Sequence, residues 1–285
     1  MKKTIAAITI GITLLLTANK GMAGTITLYD GNSGVTPNNY TSSPWLTFAS
    51  ANNVSPYTLS TQAVNSSNKS TTLDSSSADS IYAGYSNYNL PILVNSSFPT
   101  LDRNAGYQLT FTVKINSQAN DGTNGANRSG FSVIALSSDK KGIEIGFRTS
   151  DIFSQADYKF QSIGEQVTSS TVSNIATLLG NLTTYDLNIS GNTYTLSSGT
   201  TTLLNGALRD YTSASGSYTG VYKIPNFIFL GDDTTSAQAN IDLANVSLTT
   251  PVPFETSETV SIAVLGAFGG LNYWLRKQKS KQLKN

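Results

Sequence analysis

No cysteine and no histidine occur in the 285 residues, and only 12% of the side chains are charged, about half the usual ~25%. Each absence removes chemistry. Without Cys there is no disulfide and no thiolate nucleophile; without His there is no Ser-His-Asp triad; without both there is no zinc site built on imidazole or thiolate. An enzyme of this composition is left with carboxylate chemistry, a Lys- or Tyr-assisted scheme, or a metal held by oxygen. Helical signal is scarce as well: in the middle of the chain only 173–179 reads as a helix, of one or two turns.

The middle is rich in Ser, Thr, Asn, Gly and Tyr, and its apolar residues alternate at period two. The clearest run is 107–115, where Tyr107, Leu109, Phe111, Val113 and Ile115 fall on one face and polar residues on the other. Similar strands are expected at 131–136 and 142–148, joined by a polar connection, and at 185–189 and 194–196 around a Gly191-Asn192 hairpin turn. Segments 200–204, 226–230 and 239–248 complete the set, with weaker strands at 25–29 and 58–64. The Ser- and Asn-rich stretch 65–80 reads as a loop. Recurrent strands with polar turns predict a single all-β domain, a sandwich or barrel of antiparallel strands.

The two ends read as addresses. Lys2 and Lys3 precede an apolar stretch from Ile5 to Ala18, and Gly21 and Ala23 supply the small residues a signal peptidase reads, so 1–23 is expected to be a signal peptide cut between Ala23 and Gly24. The apolar stretch would be about 21 Å long as a helix, short for a ~30 Å hydrocarbon core. At the other end, 251–285 holds Pro253-Phe254-Glu255, an apolar run 260–275 and a basic tail with Arg276, Lys277, Lys279, Lys281 and Lys284. That order describes a short membrane segment with a cationic stop on the cytoplasmic side. Between the ends, 24–250 carries 15 acidic and 10 basic side chains, a net of −5, against +1 for the whole chain. A domain of that charge with no Lys/Arg cluster is a poor partner for nucleic acid.

The C-terminal arrangement resembles the PEP-CTERM class of sorting signals, in the variant with Pro-Phe-Glu (Pro253, Phe254, Glu255) in place of Pro-Glu-Pro. The resemblance implies an exosortase as processing enzyme, a transient stay in the inner membrane, and release to the cell surface or extracellular matrix. The strand order from 109–115 to 241–248, closed by Gly231-Asp232-Asp233 and an Ile-Asp-Leu…Val-Ser-Leu strand, resembles a concanavalin-A-like jelly roll, the fold of laminin-G, pentraxin and legume-lectin modules and of some glucanases.

Residues for three kinds of site are present. Glycoside hydrolysis needs two carboxyls ~5–9 Å apart; Glu144 lies on a strand, but its same-face neighbours are Gly142 and Gly146, and Arg148 at i+4 is expected to pair with it. No catalytic residue is therefore assigned. Calcium is the cation that Asp121, Asn124, Asp232 and Asp233 would take, since it seeks six to eight oxygens; Asx-rich turns of this kind also occur without metal, and no other cofactor is expected. Aromatic rings that stack on sugars are the third: Trp45, Tyr82, Tyr85, Tyr211 and Tyr218, the last two in a Tyr/Ser/Gly-rich segment of binding-loop composition. The expectation is an exported, non-catalytic β-sandwich directed at extracellular polysaccharide. A purely structural surface protein and a glycan-active hydrolase or lyase are the alternatives.

Overall fold

Period-two patterning becomes strand throughout. The computed structural model describes residues 23–52, 60–89, 92–122, 125–160, 162–215 and 220–251. The signal segment and the sorting motif lie outside them, apart from Ala23 and the residues that follow it. Among the described residues no helix is long and apolar enough to cross a membrane.

The chain opens with β1 (Ala23–Asp30), β2 (Thr47–Asn52), β3 (Thr61–Asn65), β4 (Ser70–Asp74) and β5 (Ile81–Ser86). A small hairpin of β6 (Tyr88–Asn89) and β7 (Ile92–Leu93) leads to the long β8 (Tyr107–Asn120). Then come β9 (Ser132–Leu136), β10 (Lys141–Phe147), β11 (Asp151–Gln155), β12 (Ile163–Thr168) and the short helix α1 (Ile175–Leu179). The remainder is β13 (Thr183–Ser190), β14 (Thr193–Ser198), β15 (Thr201–Ala207), β16 (Arg209–Asp210), β17 (Phe227–Asp232) and β18 (Ala237–Pro251).

Two eight-stranded antiparallel sheets result. The first has the order β15-β14-β13-β8-β18-β4-β3, and the second β12-β11-β10-β9-β17-β5-β2 with β16 against β10. In the first sheet β1 and β4 share one edge of β18, end to end: β1 pairs with Asn245 to Pro251 and β4 with Asn240 to Leu243. The β13–β14 hairpin turns at Gly191, whose φ of 60° is the left-handed backbone a two-residue turn demands.

Alternation decides which side chains meet. Leu109, Phe111, Val113, Leu187 and Leu243 from the first sheet pack against Val133, Ile143, Ile145, Phe147 and Ile228 from the second, all at most 1% exposed. Phe147 sits among Phe131, Phe111 and Tyr185, with ring centroids 5.7, 5.7 and 5.2 Å away. The 65–80 loop is corrected: it contains β4, with Ser70, Thr71 and Leu73 buried. Thr is β-branched and fits a pleated surface, and the Thr71 hydroxyl is bonded to that of Tyr29 at 2.9 Å, so burial costs it no partner.

One flank is closed by a clamp between the sheets. Glu165 on β12 accepts hydrogen bonds from Tyr194 on β14 (2.8 Å), from Arg209 (2.6 Å) and from the Ser154 hydroxyl on β11. Partial burial alone would raise the Glu165 pKa, but these donors outweigh it and hold the carboxyl down at about 2. A carboxyl lowered in the fold stabilises it above the unfolded pKa and ceases to do so as pH falls through the folded one. The wild-type protein is therefore expected to lose stability as pH drops from 4.5 to about 2, and Glu165→Gln to lose less over that interval. Urea midpoints measured down the pH series check this; parallel curves would refute it.

Candidate functional site

The outer face of the second sheet carries little side-chain bulk at its centre. Gly84, Gly231, Ser132 and Gly146 stand in register in one row across β5, β17, β9 and β10. Neighbouring rings fill the space: Phe229 lies where a Cβ of Gly84 would be, and Phe153 where one of Gly146 would be. In the adjacent row Glu144 is paired with Ile134, and Ile134 with Phe229. Tyr211, Tyr222 and Phe227 then cover Ile134 and Leu136 as a second, smaller apolar cluster.

At one end of this cover lies a buried charged group. Arg128 reaches it from the loop before β9, and that loop is tied down by its carbonyls. Arg148 donates to Ala126 O (2.7 Å) and Arg128 O (3.1 Å), and Gln155 to Asn127 O (2.7 Å). The Arg128 guanidinium then lies 3.0 Å from Asp233 and 3.5 Å from Glu144. Tyr222, on the short 3-10 turn Val221–Lys223, donates its hydroxyl to Glu144 and stacks on Tyr211 at 4.8 Å and 9°. Phe160, at a φ of 59°, sets its ring 3.8 Å from the Arg128 guanidinium and screens it from water. A left-handed φ is strained for so bulky a residue, and the cation–π contact is what that backbone achieves.

Burial pushes the Glu144 pKa up to about 7, aided by the Asp233 charge and opposed by Arg128 and the Tyr222 hydroxyl. Tyr211 and Tyr222 are also raised, first by burial and then by the Glu144 charge. Glu144 is thus brought near neutrality beside a second carboxyl, a guanidinium and a phenol, which is the raw material of acid–base chemistry. Glu144 and Tyr222 are nevertheless 0% exposed and Arg128 4%. The group is closed to a polymer in this conformation.

Several expectations change. The Glu144–Arg148 pair does not form: β10 ends at Phe147, and Arg148 instead pairs with Asp151 at 3.6 Å and lies over the Phe153 ring. The second carboxyl near Glu144 exists, but it comes from Asp233, beyond the end of a different strand. Tyr85 and Tyr211 are buried, 0% and 1% exposed, so neither offers a ring to a sugar; Tyr85 points inward and donates to Gln62 at 2.9 Å. Trp45 and Tyr82 are half-buried, Trp45 edge-on to Phe98, and Tyr218 lies outside the described residues. The rings named from sequence are therefore not gathered into one platform.

The calcium set disperses too. Successive strand residues face opposite ways: Asp232 turns inward to Ser75 (2.7 Å) and Thr234 (2.9 Å), and Asp233 outward to Arg128. Asp121 accepts from the Gly125 amide at 2.6 Å, and Asn124 lies outside the described residues. Among the described residues no group of three or more acidic side chains is placed to hold a metal. The sequence reading missed Arg128, Tyr222 and Phe160. The one legible hint was Gly142 and Gly146 flanking Glu144, which leave room on that face for side chains from elsewhere.

No family model and no curated protein matches the chain. Solved structures similar to it include a carbohydrate esterase from the Shiga toxin-encoding bacteriophage phi24B, with a TM-score of 0.43, 9% identity, and coverage of 72% of this chain and 90% of that one. Another is alginate lyase A1-II′ of polysaccharide lyase family 7, with a TM-score of 0.40, 11% identity, and coverage of 80% and 95%. A third is the binding domain of botulinum neurotoxin DC, with a TM-score of 0.40 and 11% identity, covering 73% of this chain and 44% of that chain.

Proposed function

We propose that residues 24–250 are an exported, non-catalytic glycan-binding module of the concanavalin-A-like jelly-roll kind, held at the cell surface or in its matrix. Signal peptidase would release Gly24. An exosortase-type enzyme would remove the tail from about Pro253, after a transient stay in the inner membrane. The observation that carries the binding reading is the contrast between the two outer faces of the sandwich. One is filled by the chain's own rings, with Glu144, Arg128 and Tyr222 sealed beneath them. The other is polar and solvent-accessible across its central strands. Binding at an open polar face needs no rearrangement; turnover at the sealed carboxyls would. The glycan-active hydrolase or lyase is the second reading, favoured by the Glu144–Arg128–Asp233–Tyr222 group alone.

The test uses exported protein. Intact mass should begin at Gly24 and lack Lys284, and affinity electrophoresis through a panel of polysaccharides should retard the protein without releasing reducing or unsaturated ends. No retardation by any polysaccharide overturns the binding reading in favour of a structural surface protein, and released ends overturn it in favour of the enzyme. A mass that still includes Lys284 overturns the sorting step.

A further inference from the structure

The outer face of the first sheet is a grid of hydroxyls and amides. In register across β1, β18, β8, β13, β14 and β15 run Thr25, Thr249, Gln108, Asn188, Thr195 and Asn205. The next row, on the same strands, is Thr27, Ser247, Thr110, Asp186, Ser197 and Thr202. A shorter third row adds Asn245, Thr112 and Thr184. Every one of these side chains is exposed or partly so. Beyond them, Lys114 and Asp242 mark where charge begins.

From this geometry we infer that the grid is the glycan-binding face and that its ligand is an extended, uncharged polysaccharide; the inference rests on the binding reading above. Three properties support it. The first is composition. Solvent-facing strands ordinarily mix Lys, Arg and Glu among their polar residues, yet these rows contain none, and Asp186 is their single carboxylate. Its Oδ1 already accepts from Thr110 (2.6 Å) and Gln108 (2.6 Å).

The second is preorganisation. Thr25 is bonded to Thr249 at 2.9 Å and Thr112 to Thr184 at 2.8 Å, so neighbouring strands fix each other's hydroxyls. Thr is stiff at χ1, and a hydroxyl with one donor and two acceptor positions has capacity left after one such bond. At these paired positions little side-chain freedom remains to be lost on binding. The third is charge and spacing. The net −5 of 24–250 repels polyanions, whereas an uncharged chain of hydroxyls exchanges hydrogen bonds with the grid at no Coulomb cost. Rows repeat about every 4.8 Å across strands and every ~6.8 Å along them, a lattice on the scale of single sugar units.

The experiment compares wild type with Thr184→Arg/Asn188→Arg and with Tyr82→Ala, in gels containing a soluble neutral β-glucan or an alginate, thermal unfolding confirming that each variant is folded. Thr184 and Asn188 are exposed and can be changed without opening the core. Wild type should be retarded by the glucan and not by the alginate, and the double variant should lose at least about tenfold in apparent affinity, as expected when a few hydrogen bonds are blocked. Thr184→Ser/Asn188→Gln should restore binding. Full retention in the Arg variant, loss in Tyr82→Ala alone, or retardation by alginate only would overturn the grid while leaving glycan binding intact. Retardation by neither polymer, nor by any other, would overturn both.

Discussion

Arg128→Met should destabilise the domain by about 3–5 kcal/mol, the cost of leaving buried carboxyls without their cation, and lower Tm by about 6–20 °C at this domain size. The reason lies in the charge count beneath the tyrosines. Asp233 is 3.0 Å from the guanidinium, and no other cation lies among the charges that set the Glu144 pKa. Methionine keeps the packing against Phe160 but supplies no charge. The pH dependence separates lost charge from lost packing. A carboxyl whose folded pKa is raised stabilises the fold below its unfolded pKa, and that contribution fades as pH rises. For Glu144 the interval runs from 4.5 to about 7 in wild type and extends higher without Arg128. The deficit of the variant should therefore grow from pH 5 to pH 8. Glu144→Gln, which removes the group that titrates, should stay within about 1 kcal/mol of wild type and flatten the pH curve. A deficit independent of pH would show that packing alone was lost.

Phe147→Ala should cost a similar amount, about 3–5 kcal/mol, through a different mechanism. Phe147 is 0% exposed and joins the sheets: Phe111 and Tyr185 belong to the first, Phe147 to the second, and Phe131 comes just before β9. Truncation opens a cavity between layers whose backbones are pinned by hydrogen-bonded ladders and cannot collapse to fill it. Phe147→Leu should recover more than half of the loss. Urea unfolding should show a lower midpoint with an unchanged slope, since the same surface is exposed in both proteins. A changed slope would mean that the sandwich no longer unfolds as one unit.

Phe147 was legible in the sequence. It alternates with Ile143 and Ile145, and 107–115 and 185–189 show the same rhythm, so the inner faces could be read from period alone. Strand order could not. β8 lies between β13 and β18, partners far apart in the chain, and nothing local in Tyr107–Asn120 names them. β4 was missed because Leu73 is its one buried apolar residue, while Ser70 and Thr71 are buried beside it, Thr71 with the Tyr29 hydroxyl as partner. The charged group was half visible: Glu144 stood out as a carboxylate on a strand, but Arg128 and Asp233 reach it from separate loops. Reading Tyr211 and Tyr85 as exposed rings failed for two different reasons. The Tyr/Ser/Gly-rich segment of Tyr211 folds back onto its own sheet, over Ile134 and Leu136, and Tyr85 lies on the inward-facing side of its strand. The polar grid was present in the sequence as Thr-x-Thr and Asp-x-Asn alternation, but its meaning depended on which strands stand side by side.

The first and last strands have a mechanical consequence. Ala23 is opposite Pro251 and Gly24 opposite Thr250, at the same end of the β1–β18 ladder. A force applied through the two chain ends would open that ladder like a zipper, one pair at a time, instead of shearing all its hydrogen bonds together. The domain would yield at low load when stretched between its termini. Held by one terminus, with the pull arriving through a bound polymer on the sheet face, the load bypasses that weak line and is shared by the inner strands.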